Sequence, residues 1–96
     1  MITAIVLLHV QPSRIPETAK AIADLDAVSE VYSVTGDWEL VALVRVHAHD
    51  EIADVVTGGI AKVDGVTHTH TMIAFRAYSS GDLERLWGVG FEDEGV

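Results

Sequence analysis

The chain of 96 residues contains no cysteine, and only six of its residues are lysine or arginine. The absence of cysteine excludes disulfide bonds, thiolate zinc sites and thiol nucleophiles. Fifteen aspartates and glutamates outnumber the basic residues and give a formal net charge of −9 at pH 7. Because binding to nucleic-acid phosphates requires clustered lysines and arginines, we expect this chain not to bind DNA by itself.

Long apolar runs are also missing. No stretch approaches the ~20 apolar residues that a membrane-spanning helix requires, and the first apolar segment lacks the basic start and the length of a signal peptide. We therefore expect a soluble, cytoplasmic protein. The sequence also contains no Gly-x-Ser-x-Gly motif, no phosphate-binding loop and no dinucleotide fingerprint. It consequently predicts no catalytic residue, no enzyme activity and no cofactor.

The chain does contain an internal repeat. At an offset of 38 residues, seven of 33 aligned positions are identical, and most other pairs keep their polarity. Each copy has an apolar segment, an amphipathic segment and an alternating β-branched segment. The segments are residues 2–10, 13–25 and 28–35, and then 40–46, 50–63 and 66–75. This order predicts an α+β fold of the ferredoxin-like βαββαβ type, with a four-stranded antiparallel sheet and two helices on one face.

Residues 1–78 are predicted to form this domain, and residues 79–96 an acidic C-terminal extension. Ser13 and Asp50 are candidate N-caps of the two helices. Within the extension we expect a short helix at residues 82–87, capped by Ser80 or Asp82. Its candidate anchors are Leu83, Leu86, Trp87 and Phe91. These anchors pack either on the same domain or on a neighbouring subunit, and the sequence leaves both alternatives open.

Both faces of the predicted sheet are apolar. Alternation in the first strand places Ala4, Val6 and Leu8 on one face, and Ile5 and Leu7 on the other. Two helices cover only one face of a four-stranded sheet. A mean hydropathy of +0.30 is high for so short a chain, which cannot bury all of its apolar surface internally. We therefore expect a homo-dimer of the dimeric α+β barrel type, with the sheets face to face.

Histidines form two closely spaced pairs, His47 with His49 and His68 with His70. Each pair lies on one face of its strand. The ends of the first and third strands and the start of the fourth are expected at one sheet edge, together with His9. Neutral imidazoles in such a cluster could hold zinc or copper. Alternating polar residues are nevertheless typical of a solvent-facing strand, so solvated histidines are favoured and no metal ligand is predicted.

The segment between the two copies suggests a ligand site. Gly36 permits a backbone conformation that exposes main-chain N–H groups to an anion such as an α-carboxylate. A carboxylate at Asp37 or Glu39 could meet the α-ammonium group of the same ligand, and Trp38 could form an aromatic wall. The alternative is an ordinary hairpin turn, in which glycine serves the backbone geometry and aspartate makes local hydrogen bonds.

Two segments carry a family resemblance. They read Ser-Val-Thr-Gly-Asp-Trp-Glu-Leu at residues 33–40 and Asp-Gly-Val-Thr-His-Thr-His-Thr at residues 64–71. In this order they resemble the effector-binding domain, or RAM domain, of the Lrp/AsnC (feast/famine) transcription regulators. The resemblance implies small effectors, usually amino acids, bound at clefts between dimers that assemble further into octamer-like rings. The residues that it places in or near this cleft are Thr35, Gly36, Trp38, Glu39, Thr69 and Thr71.

The sequence departs from the family pattern in two ways. It begins directly at the first strand, without the helix-turn-helix domain of the regulators, and so resembles the stand-alone RAM group. The acidic turn position, usually aspartate, is Glu39, and Leu40 follows where the family often has an aromatic residue. The leading hypothesis is an oligomeric amino-acid-binding module that co-assembles with full-length regulators. The alternatives are a small monooxygenase-like or isomerase-like enzyme with histidine as acid or base, and a purely structural assembly partner.

Overall fold

The computed structural model describes residues 1–80, which form a four-stranded antiparallel sheet with two helices. The strands are β1 (Ile2–Val10), β2 (Val28–Ser33), β3 (Leu40–Val46) and β4 (Val66–Ile73), and the helices are α1 (Ile15–Ala23) and α2 (His49–Gly58). The strand order is β2-β3-β1-β4. The predicted ferredoxin-like fold is confirmed. The predicted C-terminal helix and its anchors lie outside the described residues.

The two central strands, β1 and β3, have the bounds that the sequence predicted. Their apolar segments stop at polar residues, which are Gln11 after β1 and Glu39 and His47 around β3, so the hydrophobic pattern alone defines them. The edge strands β2 and β4 each end two residues earlier than predicted, at Ser33 and Ile73. In the described residues neither helix is long and apolar enough to cross a membrane.

The core lies between the helices and one face of the sheet. On this face Ala4, Val6 and Leu8 of β1 are fully buried, as are Leu40 and Ala42 of β3. They pack with the apolar side of the helical layer, which consists of Ile22, Ile52, Val56 and Ile60. The side-chain alternation of a strand produces this separation, and the predicted division into two faces is confirmed.

The opposite face of the sheet stays partly exposed in one chain. Register pairs Ile5 with Leu43 and Leu7 with Val41, which places these apolar side chains on one surface. Met72 lies opposite Ile5 on the same surface and is 41% exposed. We call this surface, defined by Ile5, Leu7, Val41, Leu43 and Met72, the open face.

Both predicted N-caps were wrong. Residues Pro12–Arg14 form a 3-10 turn, so α1 begins at Ile15 and the side chain of Ser13 caps nothing. At α2 the carboxylate of Glu51, rather than Asp50, reaches back over the helix start. Its Oε1 accepts hydrogen bonds from the main-chain N–H groups of His47 at 2.9 Å and Ala48 at 3.3 Å. This arrangement satisfies two donors at the helix entrance, the acidic half of a capping box.

The turn before β4 joins that strand to α1. Gly65 has a φ of +98°, and a Cβ atom added there would overlap the Oγ1 atom of Thr18. Thr18 is the buried polar residue of α1, and its hydroxyl donates a hydrogen bond of 2.8 Å to the carbonyl oxygen of Asp64. Gly65 therefore meets two requirements at once, a left-handed backbone and a close helix contact.

Candidate functional site

Four rings gather where β1 ends and β4 begins. His9 of β1 lies directly opposite His68 of β4, and His70 follows on the same face. Trp38 comes just before β3 and stacks on His9, with ring centroids 4.0 Å apart and an interplanar angle of 14°. The centroid of Trp38 lies 6.1 Å from that of His68 and 6.0 Å from that of His70. We call His9, Trp38, His68 and His70 the aromatic cluster.

Glu39 contacts the aromatic cluster at His9 and is itself held by the backbone of β1. Its Oε1 atom accepts a hydrogen bond of 2.9 Å from the main-chain N–H of Val10 and lies 3.2 Å from Nδ1 of His9. The Val10 N–H, and then the contact with His9, hold the pKa of the Glu39 carboxyl below its usual range. The main-chain N–H of Glu39 donates to the carbonyl oxygen of Leu8 at 3.0 Å. Backbone and side chain thus both attach Glu39 to the end of β1.

The predicted turn lies beside this cluster and faces solvent. Thr35, Gly36 and Asp37 are exposed, Gly36 has a φ of +109°, and a Cβ atom added at Gly36 would meet open space. A hydrogen bond from the N–H of Val34 to the carbonyl oxygen of Glu39 closes the base of the turn. Within residues 1–80, none of the main-chain N–H groups of residues 35–38 donates a hydrogen bond. Four consecutive donors therefore have no acceptor in the part of the chain that the structure describes.

Thr69 and Thr71 lie on the other side of the sheet. They pair with Leu8 and Val6, whose side chains point into the core, so they belong to the helix-covered face. Thr69 lines a surface cavity of about 270 Å³ beneath the edge of the sheet. Within one chain, the predicted site residues therefore separate into the turn at residues 35–39 and this pair of threonines.

The predicted gathering of all five histidines was wrong. Because β3 runs antiparallel to β1, Val46 lies opposite Ile2, and His47 and His49 lie at the far end of the sheet from His9. In the described residues, no group of three or more His, Cys, Asp or Glu side chains is arranged to hold a metal ion. The contact between His9 and Glu39 was not foreseen. Alignment of the end of β1 with the start of antiparallel β3 would have indicated it.

Two curated proteins with similar sequences are HTH-type transcriptional regulators. LrpA1 of Halobacterium salinarum, an HTH-type transcriptional regulator, is 34% identical over 67 residues, which are 70% of this chain and 47% of that protein. The HTH-type transcriptional regulator FL11 of Pyrococcus furiosus is 29% identical over 77 residues, which are 80% of this chain and 50% of that protein. The chain thus spans about half the length of the curated relatives that it matches.

Solved structures of similar proteins have the same fold as this chain. TTHA0845 from Thermus thermophilus has 52% sequence identity and a TM-score of 0.78, and the match covers 82% of this chain and 99% of that one. AsnC of E. coli shares the fold, with a TM-score of 0.74 at 21% identity over 79% of this chain and 52% of that one. The sequence profile of the Lrp/AsnC ligand binding domain matches residues 3–83. Because this profile matches most of the chain and the fold and glycine turn agree with it, the chain belongs to the Lrp/AsnC ligand binding domain family.

Proposed function

We propose that this chain is an effector-binding module that recognises an amino acid at the turn of residues 35–39. The observation that carries the proposal is the set of four consecutive main-chain N–H groups, at residues 35–38, that have no acceptor within residues 1–80. Such successive donors in a glycine turn form a concave site for an anion. The ligand group that fits them is an α-carboxylate.

The same turn supplies partners for the rest of an amino acid. Trp38 offers an aromatic surface for an apolar side chain. Asp37 and Glu39 supply carboxylates for the α-ammonium group. Because Oε1 of Glu39 already contacts Val10 and His9, the ammonium would bind to its second oxygen or to Asp37. A ligand held at both ends in this way is selected for its zwitterionic backbone.

We also propose that the site is completed by a second subunit. Thr69 and Thr71 lie on the helix-covered face, so they can join the turn of residues 35–39 only across a subunit contact. The module would work in the cytoplasm by binding rather than catalysis, because its relatives are named as transcription regulators. It would not bind DNA by itself, given its net charge of −9, and would act on regulators by co-assembly.

A thermal-shift screen over the twenty amino acids, in the presence of a metal chelator, tests the proposal. A ligand that binds the native state raises the melting temperature by mass action. For the amino acid found, we expect Asp37→Asn or Glu39→Gln to weaken binding by roughly 1–3 kcal/mol in calorimetry, the usual loss for a charge-assisted hydrogen bond. Trp38→Ala should also weaken binding of an apolar amino acid.

Asp26→Asn is the matched control, since Asp26 is exposed and lies at the other end of the sheet. It should bind the effector as the wild type does. Circular dichroism must show that each variant is folded. If all three turn variants keep wild-type affinity, the ligand site is elsewhere, and the cavity beside Thr69 becomes the next place to examine.

A further inference from the structure

We propose that His9 and His68 together bind a divalent transition metal ion, with Glu39 as the residue that positions the imidazole of His9. The site goes beyond effector binding and does not depend on it. Its basis is the pairing of two imidazoles across adjacent strands next to a carboxylate that is itself held by the backbone.

The separation of the two rings suits one ion. His9 and His68 are direct cross-strand partners on the same face, and their ring centroids are 6.1 Å apart with an interplanar angle of 42°. Two imidazoles that bind one ion at about 2.0–2.1 Å per nitrogen have ring centres about 5–6 Å apart. His68 is exposed, so its side chain has room to turn its ring toward His9.

Glu39 prepares His9 to act as a ligand. The Val10 N–H fixes Oε1 of Glu39 at 2.9 Å, and that oxygen lies 3.2 Å from Nδ1 of His9. A neutral His9 that donates its Nδ1 proton to this carboxylate has its free lone pair on Nε2. Metal-binding histidines almost always donate their other ring N–H to a carboxylate, a backbone carbonyl or a water, which fixes the tautomer and makes the ring a better ligand. The unprotonated nitrogen of His9 is therefore available to a metal.

Trp38 packs against one face of the His9 imidazole and limits its movement. Its stacking on His9, at 4.0 Å between centroids, limits rotation of the imidazole and so reduces the entropy lost on binding. His9 and His68 occupy two coordination positions, and water can fill the others. Imidazole ligands favour copper, nickel and zinc over magnesium and calcium. The expected ions are therefore Cu²⁺, Ni²⁺ and Zn²⁺.

The test is a titration of the untagged 96-residue chain with the chlorides of Cu²⁺, Ni²⁺ and Zn²⁺, without any amino acid. Calorimetry should give one ion per chain for the wild type. Glu39→Gln should weaken the affinity about 10-fold to 100-fold, the usual effect of losing an orienting partner. His9→Ala and His68→Ala each remove a ligand, so each should weaken the affinity at least as much as Glu39→Gln does.

Fluorescence supplies a readout that reports position. Bound Cu²⁺ should quench the emission of Trp38, which stacks on His9. Because the chain contains two tryptophans, the titration is repeated with Trp87→Phe, in which Trp38 is the remaining indole and its quenching should persist. Calorimetry should still detect metal binding in Trp38→Phe, at a somewhat lower affinity, because the indole is not a ligand but restricts the His9 ring.

His47→Ala and His49→Ala are the controls, because these histidines lie at the far end of the sheet. Both should keep wild-type affinity. Wild-type affinity in folded His9→Ala and His68→Ala, or an equal loss in the two controls, would overturn the proposal. The two proposals fail independently, because the metal titration contains no amino acid and the effector screen contains a metal chelator. Asp37→Asn, which alters only the proposed effector site, should leave the metal affinity unchanged.

Discussion

At the scale of single residues, three glycines differ in how much a side chain at their position would cost. Gly36 and Gly65 both have positive φ, but only at Gly65 would a Cβ atom overlap a neighbour. Gly58, at the end of α2, has no atom within 4 Å of an added Cβ. The cost of a side chain is therefore set by backbone conformation and neighbouring atoms together.

We expect Gly65→Ala to lower the free energy of unfolding by roughly 1–3 kcal/mol or more, from the unfavourable backbone region and the displacement of Thr18. Gly58→Ala should instead leave stability unchanged or raise it by about 0.5–1 kcal/mol, the helix preference of alanine over glycine. Urea unfolding of both variants measures the difference. Equal stability of the two would mean that neither the positive φ of Gly65 nor the overlap with Thr18 costs free energy.

The sequence predicted the glycine turn at Gly36 but not the use of Glu39. A glycine beside an acidic residue is a local signal, and the structure shows the expected exposed turn with positive φ. The contact between Glu39 and His9 joins residues 30 positions apart. It depends on how β3 docks beside β1, which no local pattern contains.

At the scale of elements, the entrance of α2 offers a controlled comparison. Glu51 and Glu17 both occupy the third position of a helix, where a negative charge interacts favourably with the helix dipole. Only Glu51 also accepts hydrogen bonds from main-chain N–H groups, those of His47 and Ala48. The difference between the two residues therefore isolates the value of these hydrogen bonds.

Glu51→Ala should reduce the free energy of unfolding by about 1 kcal/mol more than Glu17→Ala does, within the range of roughly 0.5–2 kcal/mol known for helix caps. Thermal and urea unfolding of the two variants would measure it. Should the two substitutions cost the same, the dipole interaction would account for the whole effect and the capping interpretation would be wrong.

The sequence predicted the bounds of elements well where apolar periodicity defines them. It predicted them poorly where a single capping side chain determines the start of a helix. The bounds of β1 and β3 follow from alternation between a buried and a partly exposed face. The helix starts do not, because Ser13, Asp50 and Glu51 are all plausible acceptors in sequence. Which of them reaches a free N–H depends on the local path of the backbone, such as the 3-10 turn before α1.

At the scale of the whole molecule, the open face is an apolar surface that requires a partner. Ile5, Leu7, Val41 and Leu43 remain partly exposed, although they form one apolar surface. Exposed contiguous apolar patches mark interaction surfaces. A second copy of the chain, face to face, is the partner that we predicted from the alternation of the strands.

Leu43→Arg should therefore shift the chain toward the monomer, because a charge on the open face would have to be buried without a partner. Light scattering over a range of protein concentrations measures the change, against a 10.3 kDa monomer. Ala53→Arg, on the exposed side of α2, is the control and should assemble as the wild type does. An assembly unaffected by Leu43→Arg would show that the open face is not the contact.

The repeat also determines when the sheet can form. All three ladders, β1 with β3, β1 with β4 and β2 with β3, join a strand of the first copy to a strand of the second. Within one copy the two strands are never neighbours, since β3 lies between β2 and β1, and β1 lies between β3 and β4. No native strand pair can exist until the ribosome has released β3. β2 and β3 form a hairpin that is local in sequence, whereas both ladders of β1 join strands that are distant in the chain. Because β1 pairs on both sides with strands of the second copy, we expect the two copies to fold in one cooperative transition.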